Sequence, residues 1–222
     1  MGYFRELPNI QYQSPFSNRV SSASYITAKN LFRRMKIRDD LQNVFTVFNK
    51  YEIDDGDRPD IVARDLYGKS SLDWVVLTTA GIINVRDGWP LPSKELYDLV
   101  VERYGIKEIN KVRHYETKEI KNSRGVVILP SGKTVGADFS VSYYDGGLEL
   151  NVTTTPSNTV RGVTYYEYEV EENDKKRNIF VLRSEYLQQF LNDIRNEMTY
   201  KKSSQFVNNK LVRTENTRVT IN

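Results

Sequence analysis

Between Leu41 and Ile53 apolar and polar residues alternate in part, Val44, Thr46 and Phe48 against Phe45, Val47 and Asn49. Both sets carry apolar groups, the pattern of a strand covered on both sides. The period then lengthens. Val62, Ala63 and Leu66 recur at helical spacing, and Asp57-Arg58-Pro59 just before them reads as a helix entry. Proline suits a first turn because its missing N–H has no intrahelical partner there. Asp60 adds a carboxylate near the positive end of the helix dipole, and Gly68 supplies the stop. Ser70 reads as the next N-cap, with Asp73 as a weak capping box. Leu72, Val75, Val76, Thr79 and Ala80 form the second stripe, while Trp74 and Leu77 lie off it. This helix is therefore apolar on most sides and must be buried or partnered. Gly81 closes it. A third helix starts at Ser93, carries Leu96, Leu99, Val100 and Tyr104, and stops at Gly105.

From Lys111 to Val170 the pattern changes to short runs divided by turn residues: HYETKEI, VVIL, FSVSYY, LELNVTT and VTYYEYEV. Pro130-Ser131-Gly132, Asp145-Gly146-Gly147 and Pro156-Ser157-Asn158 punctuate them, which predicts antiparallel hairpins. Glu171 to Asn178 reads as a charged turn leading to the run IFVLR. Ser184 then opens a helix reaching about Tyr200, with Leu187, Phe190, Leu191, Ile194 and Met198 on one face.

The ends behave differently. Met1 to Ser24 is broken by Pro8, Pro15 and several serines, yet it interleaves Tyr3, Phe4, Leu7, Ile10, Tyr12 and Phe16. Disordered tails are poor in aromatics, so this arm is expected to be ordered by lying on its own domain or, by slight preference, on a neighbour. Tyr25 to Asp40 is a helix or an irregular segment, and Arg33, Arg34, Lys36 and Arg38 give it a basic face. That face is either solvated or a rim for an acidic partner. The polar tail from Ser203 to Asn222 reads as a second extended arm ordered by contact.

Composition narrows the function. The 222 residues suffice for one large domain or two small ones. A net charge of +3 is too mild to argue for nucleic acid or an anionic membrane. No apolar run approaches the length of a membrane span. The absence of cysteine removes thiolate chemistry, and a single histidine, His114, makes a His-rich metal site or a histidine triad improbable. No phosphate-binding glycine loop, GxSxG elbow or selected carboxylate pair is present. Asp54, Asp55 and Asp57 lack the ligand spacing of a calcium loop and read as a turn. No catalytic residue, cofactor or metal is expected.

The strand and two capped helices, through Arg58-Pro59, Ala63, Leu66-Tyr67-Gly68, Leu72, Trp74 and Asn84, resemble a LysM domain. A wider resemblance runs through KNLFRRMKIRDDLQNVFTVFNKYEI, RPDIVARDLYGKSSLDWVVL, GWPLPSKELYDLVVERYG and YEYEVEENDKKRNIFVLRSEYLQQFLNDIRNEMTY. Together these are similar to the baseplate wedge protein of T4-type contractile-tailed phages that carries a LysM-like domain, the gene 53 product family. The match weakens between about His114 and Val163 and over the last twenty or so residues. The resemblance implies a virion protein of the tail baseplate, assembled in the host cytoplasm. It would bind inner wedge proteins and help join neighbouring wedges into the six-fold ring, with six copies per baseplate, and with neither nucleic acid nor membrane as a partner. The LysM likeness alone would instead suggest a peptidoglycan-binding module or a tail-associated lytic protein.

The fold expected is α+β: a small LysM-like strand-helix-helix unit with an added helix, an antiparallel β-hairpin insertion, a C-terminal helix and extended terminal arms. The corresponding segments are an arm and helix (1–40), a central domain (41–110), a β region (111–183), a C-terminal helix (184–202) and a tail (203–222). Candidate partner contacts are Tyr3, Phe4, Tyr12 and Phe16 in the arm, and Arg58, Trp74 and Trp89 in the centre, since aromatic and arginine side chains dominate interface energetics. Trp74 fits plain core packing equally well.

Overall fold

The strand that completes the central helical unit comes from far down the chain. In the computed structural model, which describes residues 2–13, 25–37 and 46–214, the fold is α+β and divides into two compact units. Unit 1 is Met1–Trp89 with Asn178–Asn222, and unit 2 is Pro90–Arg177. The helices are α1 (Tyr3–Glu6), α2 (Pro59–Tyr67), α3 (Asp73–Thr79), α4 (Val85–Gly88), α5 (Ser93–Tyr104), α6 (Pro156–Thr159), α7 (Tyr165–Lys175) and α8 (Leu187–Glu197). The strands are β1 (Asn9–Gln13), β2 (Tyr25–Lys29), β3 (Phe48–Glu52), β4 (Val112–Thr117), β5 (Ile120–Lys121), β6 (Val127–Leu129) and β7 (Thr134–Val135). They continue with β8 (Ser142–Asp145), β9 (Leu150–Thr153), β10 (Val160–Thr164), β11 (Asn178–Leu182), β12 (Phe206–Asn208) and β13 (Leu211–Arg213).

In unit 1, β3 pairs antiparallel with β11, from Phe48 opposite Leu182 to Glu52 opposite Asn178. The predicted strand is real from Phe48 onward, and its first part, 41–45, lies outside the described residues. Helix α2 has Pro59 at its start and Gly68 at its end, where φ of 72° lets the glycine N–H reach the Arg64 carbonyl. Ser70 does not cap α3. It opens a 3-10 turn, Ser70–Leu72, with no side-chain cap bond at its start. The all-round apolar character of α3 has a direct cause, since the helix separates two cores. Trp74 and Val75 join Leu7, Phe48, Leu182, Leu187, Leu191, Ile194 and Met198. Val76 joins Ile53, Val62, Ala63, Trp89, Ile179 and Val181. The α8 stripe packs as its periodicity predicts, although its first turn, Ser184–Tyr186, is 3-10.

The two arms order each other. A four-stranded sheet runs β12-β13-β1-β2, with β13 parallel to β1 and β2 antiparallel to it. The described part of the N-terminal arm therefore lies on its own chain, where a neighbour was the slightly preferred expectation. Leu7 is 2% exposed in the first core. The polar tail forms a hairpin over Phe206–Arg213 and pairs with β1, so its order comes from within the chain. The segment after residue 24 opens as strand β2 and then runs irregularly through Ile37, so no helix forms there.

Unit 2 holds the three-stranded sheet β10-β4-β7 and the hairpins β5-β6 and β8-β9. Leu96, Val100 and Ile109 form its core, with Leu91, Val101, Tyr104, Tyr166 and Val170 packed on them. The run VTYYEYEV is divided: β10 ends at Thr164, and α7 occupies the rest together with most of the expected charged turn. A full capping box drives this. Thr164 Oγ1 accepts the Glu167 N–H at 3.1 Å, and Glu167 Oε2 accepts the Thr164 N–H at 2.8 Å.

Candidate functional site

The candidate contact residues divide between core and surface. Trp74 and Trp89 are each 6% exposed and belong to the two cores of unit 1. Both indoles pack within the chain's own cores. Trp89 Nε1 donates to the Asp57 carbonyl at 2.7 Å, fixing the turn ahead of α2. Trp74 lies between Tyr3 and Phe190, with ring centroids 5.7 and 6.4 Å away. Tyr3 is half-buried there, and Phe4, edge-on to Tyr3 at 6.0 Å, faces outward. Tyr12 on β1 is exposed. Arg58 sits at the N-cap of α2, exposed, with Asp60 at 3.1 Å. Phe16 lies outside the described residues.

The basic segment has a definite use. Arg33 donates to the Thr199 carbonyl at 2.9 Å and lies over the Tyr200 ring at 5.0 Å. It thus places a cation at the negative end of α8, where the last carbonyls want donors. Beside it Phe32 is 95% exposed, and Ile83 after α3 is 72% exposed. The sequence sets Phe32 with Leu31 and Met35 at helical spacing, but no helix forms over the described part of that segment and Phe32 is left facing outward; Ile83, an isolated apolar residue in a loop, carries no periodic signal.

The polar networks hold elements together. In unit 2, His114 Nε2 and Glu116 Oε1 are 3.0 Å apart, Arg161 reaches Glu116 Oε2 at 3.2 Å, and Arg161 also reaches Glu171 at 2.6 Å. The His114 hydrogen bond, then Arg161, holds the Glu116 carboxyl below the usual carboxylate range. Arg113 stacks on Tyr168 at 3.6 Å, and the His114 ring meets the same ring edge-on. His114 thereby ties β4 to α7. Asp145 does similar work between the hairpins. It accepts from Ser123 Oγ at 2.6 Å, Ser123 N at 2.9 Å and Gly147 N at 2.9 Å. These bonds, the Ser123 hydroxyl first, lower its pKa to about 2. In unit 1, burial pushes the Tyr67 phenol up to about 12 while its hydroxyl donates to the Leu182 carbonyl at 2.9 Å.

Among the described residues no group of three or more histidine or acidic side chains is placed to hold a metal ion, and no helix is long and apolar enough to cross a membrane. The charged side chains of these networks brace hairpins, helix ends and turns, while aromatic and aliphatic groups are left facing outward. The profile of the base plate wedge protein 53 family matches residues 4–196, and the chain belongs to that family. It is a structural protein of the bacteriophage tail baseplate, where it works among other baseplate proteins. No curated protein sequence matches the chain.

Proposed function

We propose that this wedge protein binds the inner wedge proteins and helps join neighbouring wedges into the six-fold baseplate, six copies to each, after assembly in the host cytoplasm. It does so without catalysis, cofactor or nucleic acid. The observation that carries this reading is the family match across residues 4–196, which runs through both compact units and most of the described arm. Outward-facing Phe4, Tyr12 and Arg58 are the contacts proposed for partners, joined now by Phe32.

The same reading takes β3, α2, α3 and β11 as a LysM-like element. Its support is the order strand, helix, helix, strand with the two strands antiparallel. The experiment is size-exclusion chromatography with light scattering, on the chain alone and mixed with the other wedge proteins of the same genome. A stable complex in which the arms gain protease protection is the expected result. Indifference to those proteins, with retention on purified peptidoglycan, would transfer the chain to the glycan-binding class.

A further inference from the structure

A cavity of about 380 Å³ in unit 1 opens between α1, the turn before α3, and α8. Trp74 lines it, and Arg5, Glu6, Lys69, Gln188 and Arg195 stand around it. Two features mark it. The first is the Trp74 indole N–H, buried without a hydrogen-bond acceptor among the described residues. The contrast with Trp89, whose N–H is fully used on Asp57, shows what such a buried donor requires. The second is Gly2, which lies over that N–H. A Cβ there would stand 2.8 Å from Trp74 Nε1 and 2.3 Å from the Ser71 carbonyl oxygen, so residue 2 can cover the indole N–H this closely only because it has no side chain.

The charge around the cavity has one sign in surplus. Arg195 is engaged by Glu6, at 2.9 Å from Nε and 3.2 Å from the second guanidinium nitrogen. Arg5 and Lys69 have no acidic partner among the described residues. Among the described residues Arg5, Lys69 and the Trp74 N–H are thus without an acidic or acceptor partner, and what answers all three is an acceptor carrying negative charge. The volume falls within the range of ligand pockets and holds a side chain with its flanking backbone.

We propose that this cavity is a docking site for an acidic peptide segment of another baseplate subunit, which places an Asp or Glu carboxylate between Arg5 and Lys69 and on the Trp74 N–H. The occupant displaces Gly2 at the start of α1 and leaves the Tyr3–Trp74–Phe190 packing in place. The proposal rests on the assembly reading above and adds to it a defined pocket and the chemistry of its partner.

The chain has two tryptophans, so a nitrogen-15 NMR spectrum of the full-length protein shows two indole signals. The probe is a synthetic eight-residue peptide of alternating glycine and glutamate. Its controls are the same peptide with glutamine and inorganic phosphate at equal concentration. The acidic peptide should move the Trp74 indole proton and leave that of Trp89 in place. Lys69→Glu and Arg5→Glu should each weaken binding by about tenfold. Trp74→Phe keeps an aromatic ring in the core and removes the donor, so it should weaken binding while circular dichroism stays native. A Trp74 signal unmoved by the acidic peptide overturns the proposal. Equal shifts with the glutamine peptide or with phosphate overturn it too, by showing no acidic-peptide preference. A chain that enters the wedge complex but ignores the peptide refutes the pocket alone, whereas one that binds the peptide but joins no complex refutes the assembly reading.

Discussion

Asn173 holds Leu91 by both ends of its amide. Its Oδ1 accepts the Leu91 N–H at 2.8 Å, and its Nδ2 donates to the Leu91 carbonyl at 3.0 Å. Leu91 stands where the chain enters unit 2, and Asn173 stands four residues before it leaves at Arg177. A buried side chain, 3% exposed, thus takes the place of a strand partner and locks the two ends of the inserted unit together. Asn173→Ala leaves two half-buried backbone groups without their side-chain partner and should cost about 1–3 kcal/mol. Asn173→Asp keeps the shape but turns the donor into an acceptor facing a carbonyl, so it should be as damaging at neutral pH and milder once protonated. Urea unfolding of both variants, with hydrogen exchange at the Leu91 amide, checks this.

Unit 2 should weaken in acid through two carboxylates. Glu116 and Asp145 both have folded pKa values below their ordinary ones, so each contributes stability that is present above the unfolded value and lost as pH falls. For Asp145 the window runs from its ordinary 3.8 down to about 2. Asp145→Asn should flatten that part of the profile and loosen the join between the β5-β6 and β8-β9 hairpins. Thermal melts from pH 5 downward, compared between the wild type and this variant, give the test.

In unit 1 the sensitive side is alkaline. The folded pKa of Tyr67 is raised from 10.0 to about 12, so its contribution is complete below 10 and disappears as pH climbs to about 12. Tyr67→Phe removes the bond to the Leu182 carbonyl and should cost about 1 kcal/mol at neutral pH. It should also remove this alkaline loss, which denaturant midpoints at pH 9 and pH 11 will show.

Truncation after Tyr200 removes β12 and β13. Strand β1 then loses the partner that receives its Asn9 N–H at Lys210 and supplies Thr214 N–H to the Gln11 carbonyl. Limited proteolysis should cut the truncated chain within residues 2–13 first, with Pro90–Arg177 as resistant as in the full chain.

The helical centre was legible because its signals are local. Pro59 at the start of α2, Gly68 at its end and the Leu187–Met198 stripe each act within a turn or two of where they stand. What was hidden is mostly distant. Nothing near Asn9 announces a parallel partner at Leu211, and nothing near Phe48 announces Leu182, since strand pairing leaves no mark in the sequence of either strand alone. Helix α7 is a different case. Its capping box, Thr164 with Glu167, was visible, but the tyrosines of VTYYEYEV favour strands and alternate with polar residues, so the run reads as β. The fate of the two tryptophans was equally closed, because the period of α3 says only that all its sides are covered. Trp74 turned out to be covered by the chain's own arm and C-terminal helix.

The separation of β3 from β11 has a consequence for the order of events at the ribosome. β3, α2 and α3 emerge early, yet the strand that pairs with β3 follows only after the whole of Pro90–Arg177. At about 5–20 residues per second the nascent chain waits roughly 4–18 s between the two halves of unit 1. Unit 2 is contiguous and can close during that interval. The older segment meanwhile holds Phe48, Trp74 and Val75 without their later neighbours from α8, a window in which a chaperone would find its client.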